Sequence, residues 1–105
     1  MIFDLRIYTL HPGKTAEWLK MYEQYGHPTQ VKHCGEPVFY ATTEVGTLNQ
    51  VVHVWQYKSQ AEREKKRNAL MKDPAFKDYM RRSAEMGAHL HQESRLLKST
   101  SFSPL

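Results

Sequence analysis

Residues 40–57 read Tyr40-Ala41-Thr42-Thr43-Glu44-Val45-Gly46-Thr47-Leu48-Asn49-Gln50-Val51-Val52-His53-Val54-Trp55-Gln56-Tyr57. Two β-rich runs flank Gly46-Thr47-Leu48-Asn49, a turn whose Gly and Asn both tolerate positive φ. Gln50 to Tyr57 is dense in β-branched and aromatic residues and too short for a typical helix. The stretch is a β-hairpin. Alternate strand side chains point to opposite faces, so Val52 and Val54 share one face while Val51, His53, Trp55 and Tyr57 share the other. One face is aliphatic; the other joins aromatic bulk to a titratable ring.

Upstream, Ile2 to Leu10 alternates in the same way, with Phe3, Leu5 and Ile7 on one side and Asp4, Arg6 and Tyr8 on the other. Pro12-Gly13 stops this strand. From about Lys14 to Tyr25, Trp18, Leu19, Tyr22 and Tyr25 recur at helical spacing, and Gly26 is placed to end the helix. His27 to Pro37 has no periodicity and reads as a loop long enough to act as a lid. Downstream, Ser59-Gln60-Ala61-Glu62 matches a capping box, opening a helix that runs through Leu70 and Met71. Asp73-Pro74 breaks it and starts another helical turn, because Asp caps well and Pro fits the first helical position. Phe76, Tyr79, Met80 and Ala84 carry an apolar stripe as far as Gly87. Ala88 to Lys98 is the last strand, with His89, His91, Glu93 and Arg95 on one face, and Ser99 to Leu105 is a Ser-rich tail.

The order is βαββαβ. That order folds as a ferredoxin-like α+β domain: a four-stranded antiparallel sheet with both helices on one face. If the helices cover Phe3, Leu5, Ile7, Val52 and Val54, then Tyr8, Tyr40, His53, Trp55 and Tyr57 are left bare. So large an aromatic patch predicts a homodimer packed sheet to sheet. With 105 residues, 40% hydrophobic and 25% charged, the chain has the composition of one soluble domain spanning 1–105. No apolar run approaches the ~20 residues of a membrane span. The net charge of +4 comes from basic residues interleaved with acids, as on a solvated helix face, so no nucleic-acid partner is expected. A single Cys34 rules out an internal disulfide and, with no secretory signal at Met1 to Arg6, predicts a cytoplasmic protein.

From Thr42 to Trp55, through Ser59 to Arg67, at Asp73-Pro74 and in Phe102-Ser103-Pro104-Leu105, the chain resembles the NIPSNAP family. Gly46 to Trp55 is the most specific part of the likeness. The resemblance implies a subunit of the dimeric α/β-barrel superfamily, in agreement with the bare sheet face. That superfamily holds cofactor-free monooxygenases, haem-handling enzymes, isomerases and ligand binders, so the resemblance leaves the activity to the site.

The expected site is a small-molecule pocket between the helix-free sheet face and the His27 to Pro37 loop. Arg6, Tyr8, Tyr40, Trp55, His91 and Glu93 line it, and His53 serves as general base because an ordinary imidazole titrates near neutrality. Arg6 would orient an anionic or carbonyl-bearing ligand, or else pair with Glu93 or Glu44. The substrate would be aromatic or lipophilic, with cofactor-free monooxygenase or isomerase chemistry. The alternative is a non-catalytic interaction protein whose aromatic face serves dimerisation. His89-Leu90-His91 offers two imidazoles on one face, but no third ligand follows at a fixed spacing, so neither metal nor any other cofactor is expected. His33-Cys34 holds a thiol beside a base, although neighbours in sequence seldom reach nucleophile–base geometry.

Overall fold

The alternating segment Ile2–Leu10 forms β1, which lies inside the sheet rather than at its edge. In the computed structural model, which describes residues 1–105, the four strands run in the order β2-β3-β1-β4, with β2 Phe39–Thr42, β3 Gln50–Tyr57 and β4 His89–Lys98. All neighbours are antiparallel. Leu5 lies opposite Val54 and Arg6 opposite His53, so the central pair is in one register along its whole length. The hairpin turn is wider than its four Gly-to-Asn residues, spanning the stretch between Thr42 and Gln50, and Gly46 and Asn49 do adopt positive φ. The chain thus has the ferredoxin-like α+β fold.

Helices cover the face opposite to the one expected. Val51, Trp55, Tyr57, His53, Leu10 and Asp4 are all at most 1% exposed. Phe3, Leu5, Ile7 and Val52 are only half-buried, on a face that carries no helix. Both faces are apolar enough to be a core, and the helices decide between them. Trp18, Tyr22, Phe76 and Tyr79 present large flat rings, which pack on Tyr8, Tyr40 and one another at centroid distances of 5.0–5.8 Å. Asp4, the fully buried carboxylate on this face, is accommodated because it is satisfied. Asp4 accepts hydrogen bonds from Arg63 Nε and from Ser94 Oγ, each at 3.0 Å.

The segment His27 to Pro37 is not a loop. Thr15–Met21 (α1) continues through a π-helical turn, Tyr22–Gly26, into a further helix, His27–Cys34 (α2). The His27 N–H reaches back to the Tyr22 carbonyl, the wide spacing of a π turn. Pro28 is tolerated because it sits at the start of α2, where its missing N–H matters least. Gly26 does not end a helix. It is helical, and a Cβ there would come within 2.7 Å of the Tyr22 ring and 2.8 Å of the Tyr79 ring. The glycine lets the π turn lie against the second helical layer. Gly35, at φ +79, is the residue that ends the helical run.

Gln60–Lys72 (α3) starts at the expected cap, with Ser59 Oγ accepting from the Glu62 N–H at 3.1 Å. Pro74–Met86 (α4) starts at Asp73, whose carboxylate accepts from the Ala75 N–H at 2.9 Å. The other oxygen of Asp73 lies 2.8 Å from His33 Nε2 and so ties α2 to the α3–α4 junction. Gly87, left-handed at φ +61, ends α4. No helix is long and apolar enough to cross a membrane.

Candidate functional site

Between the sheet and α4 lies a cavity of about 450 Å³. The sheet contributes Arg6, Tyr8, Tyr40 and His53 to its floor, with His89 and Gln92 from β4. Tyr22 and Gln30 close one side from the π turn and α2. Arg67 and Met71 come from α3, and Phe76, Tyr79, Met80 and Ser83 from α4.

His53 is the most constrained of these groups. Its Nδ1 receives the indole N–H of Trp55 at 2.7 Å, a hydrogen bond between residues two apart on one face of β3. A nitrogen that accepts cannot also carry the ring proton, so a neutral His53 is protonated on Nε2. That Nε2 is buried and has no hydrogen-bond partner. Burial, with the Arg6 guanidinium opposite, lowers the imidazole to a pKa of about 3. A neutral ring whose free corner is an N–H is a donor, not a base. The expected role of His53 as general base is therefore corrected: its basic nitrogen is occupied and its conjugate acid is too strong.

The ring plane is fixed by stacking. Tyr40 lies on His53 at 4.4 Å and 20°, Tyr22 on Tyr40 at 5.0 Å and 19°, and Trp18 on Tyr22 at 5.4 Å and 8°. Four rings from α1, the π turn, β2 and β3 make one column, and Tyr8 meets His53 edge-on at 4.8 Å. The Tyr22 hydroxyl donates to Gln30 Oε1 at 2.7 Å, whereas the buried Tyr40 hydroxyl has no partner. Burial pushes the Tyr8, Tyr22, Tyr40 and Tyr79 phenols up, so all stay protonated near neutrality. His89 is lowered by burial as well and shares the Tyr8 ring at 5.0 Å; its Nε2 is also unpartnered. It is the remaining cavity imidazole with no Trp55-like donor on it.

Of the residues expected at the site, Arg6, Tyr8, Tyr40 and His53 come together at this cavity. Trp55 does not line it but lies beneath, fully buried, holding His53. His91 and Glu93 lie on the opposite face, opposite Thr9 and Ile7, and Glu93 is held by Arg95 at 2.6 Å. Arg6 pairs with neither Glu93 nor Glu44; its Nε is 3.8 Å from Asp4. A β-bulge between Thr9 and Leu10 puts His89 and His91 on opposite faces, so the two-imidazole geometry read from their spacing is absent. His33 turns to Asp73 and Cys34 into the core, which separates the thiol from the imidazole. Arg67, Gln30 and the α4 residues were not anticipated as a site. Arg67 reads as one charge within a solvated run, Gln30 lies in the segment expected as a loop, and the α4 stripe reads as ordinary core.

The NIPSNAP family profile matches residues 3–104. A crystal structure of a NIPSNAP family protein from Agrobacterium tumefaciens is 34% identical, covers 99% of this chain and 97% of its own, and superposes with a TM-score of 0.91. An antibiotic biosynthesis monooxygenase is 10% identical over 95% of this chain and 99% of its own, at a TM-score of 0.64, and shares the fold. The NipSnap homologue of Dictyostelium discoideum is 35% identical over 71% of this chain, which spans 33% of that relative's length. The matched span reaches from β1 into the terminal tail and includes the His53–Trp55 pair, and the chain is a member of the NIPSNAP family.

Proposed function

We propose that this NIPSNAP chain binds a small molecule in the cavity between the sheet and α4, with the Nε2–H of His53 as the central donor to it. One observation carries the reading. A buried polar group without a partner costs roughly 1–3 kcal/mol, and here the group is locked in place by Trp55 at the wall of a cavity of ligand size. If the protein is an enzyme of the cofactor-free monooxygenase or isomerase kind, His53 polarises a substrate carbonyl or stabilises its enolate, and any proton acceptor is another group. Thermal-shift screening against aromatic and lipophilic compounds tests the site. Compounds that stabilise the wild type should lose at least tenfold in affinity for His53→Ala, which removes the donor, and less for His53→Gln, which keeps an N–H. Equal binding by wild type and His53→Ala would place the ligand elsewhere.

The outer sheet face supports a second, compatible reading, that of a homodimer. Phe39 and Leu97 are 47% and 45% exposed there and extend the aliphatic patch of Phe3, Leu5, Ile7 and Val52. Two copies packed through this face leave the cavities on the outside of the assembly, one per subunit. A cytoplasmic setting suits the lone, buried Cys34.

A further inference from the structure

We infer that the ligand of this cavity is a planar organic anion, an aromatic carboxylate whose charged oxygens face Arg6 and Arg67 and draw the N–H of His53. The inference rests on the cavity being a ligand site and goes on to its charge.

The first ground is the balance of fixed charge. Asp4 is the carboxylate beneath the cavity, and its two oxygens are already taken by Arg63 Nε and Ser94 Oγ. Arg6, on the same strand face, is left with a long 3.8 Å approach to Asp4 and an Nε that donates to nothing. Arg67 lies one helical turn beyond Arg63 on α3, lines the cavity and makes no ion pair. Arg63 thus balances Asp4, and Arg6 and Arg67 at the cavity have no carboxylate of their own, a surplus of two positive charges. Low-dielectric walls strengthen such a field and favour an anion there.

The second ground is the hydrogen-bonding character of the lining. Arg6 and Arg67 only donate, and neutral His53 has only its Nε2–H to offer. The phenols keep their protons and can donate, and the Gln30 carbonyl already accepts one hydrogen bond, from Tyr22. A lining so rich in donors is complementary to a ligand rich in acceptors. Guanidinium binds carboxylate with charge-assisted, often bidentate geometry.

The third ground is shape. Met71, Met80 and Phe76 supply apolar walls opposite the stacked Tyr40 and His53, so the body of the ligand is flat and apolar. Phosphate sites usually add backbone N–H groups at a helix start, and the donors here are all side chains. A carboxylate is the better match.

Isothermal titration calorimetry with 1-naphthoate, 1-naphthamide and 1-naphthyl phosphate tests this on wild type and Arg67→Gln. Arg67→Gln replaces a rim residue with no ion pair to lose, and its unliganded melting temperature reports on folding. The naphthoate should bind at least tenfold more tightly than the amide, more weakly as salt rises, and no better than the amide to Arg67→Gln. Equal binding of naphthoate and amide to wild type overturns the anion while leaving the site intact. Tighter binding of the phosphate overturns the carboxylate. Heat from none of the three overturns this inference and the ligand site with it.

Discussion

His53 begins near pKa 6.5 in the unfolded chain and falls to about 3 in the fold, because burial and Arg6 both disfavour the imidazolium. Above pH 6.5 the ring is neutral in both states and pH has no purchase on it. As pH falls from there toward 3, only the unfolded chain takes up the proton, so stability declines by up to about 1.4 kcal/mol per pH unit. Most carboxylates titrate lower, which leaves the window from pH 6.5 to 5 mainly to the histidines. Urea unfolding should show a falling midpoint across that window, with a shallower fall in His53→Gln; His89, also lowered by burial, contributes to the slope that persists. Identical slopes in the two proteins would mean that His53 is not held neutral. Trp55→Phe removes the donor to Nδ1, frees the tautomer and raises the ring's pKa. Long-range ¹H–¹⁵N spectra should register a single Nε2–H tautomer in wild type and a mixture in the variant.

The π turn does more than join two helices. It lets α1 run into α2 while aiming Tyr22 at the cavity and leaving room at Gly26 for the Tyr79 ring. Gly26→Ala gains about 0.5–1 kcal/mol of helix propensity but drives a methyl group into two tyrosine rings, at about 1–3 kcal/mol. The clash should win, lowering the urea midpoint; a more stable variant would show that the rings step aside at no cost. The same turn hides α2 in the sequence. Gly26-His27-Pro28 has the punctuation of a stop, and periodicity of 3.6 cannot register across a turn that holds an extra residue. The strands were legible because alternation is local, and so were Ser59 and Asp73, whose caps depend on neighbours within three residues.

At the scale of the whole molecule, the proposed dimer rests on the aliphatic face. Leu5→Asp should weaken it by about 3 kcal/mol or more, some hundredfold in Kd, by burying an unpaired carboxylate, while leaving the helix-covered core untouched. Sedimentation equilibrium of wild type and variant checks this, and a wild-type monomer at micromolar concentration removes the proposal. Trp55→Asp, by contrast, is a core substitution and is expected to unfold the chain. Two measurements on two faces therefore separate assembly from folding.

Strand and helix periods, two caps and the order βαββαβ follow from the sequence itself, since each depends on residues close together along the chain. The antiparallel sheet with β1 and β3 at its centre follows from that order. Which sheet face meets the helices did not, because both faces are apolar and the choice rests on how Trp18, Tyr22, Phe76 and Tyr79 fit across the gap. That choice carried the site with it: Arg6, Tyr8, Tyr40 and His53 stayed together as neighbours in register, whereas His91 and Glu93 went to the other side of the sheet. The character of His53 was likewise a tertiary outcome. A histidine in a strand is a base of ordinary strength until the fold removes its water, sets Arg6 opposite, and turns the Trp55 N–H onto the nitrogen that would have done the work.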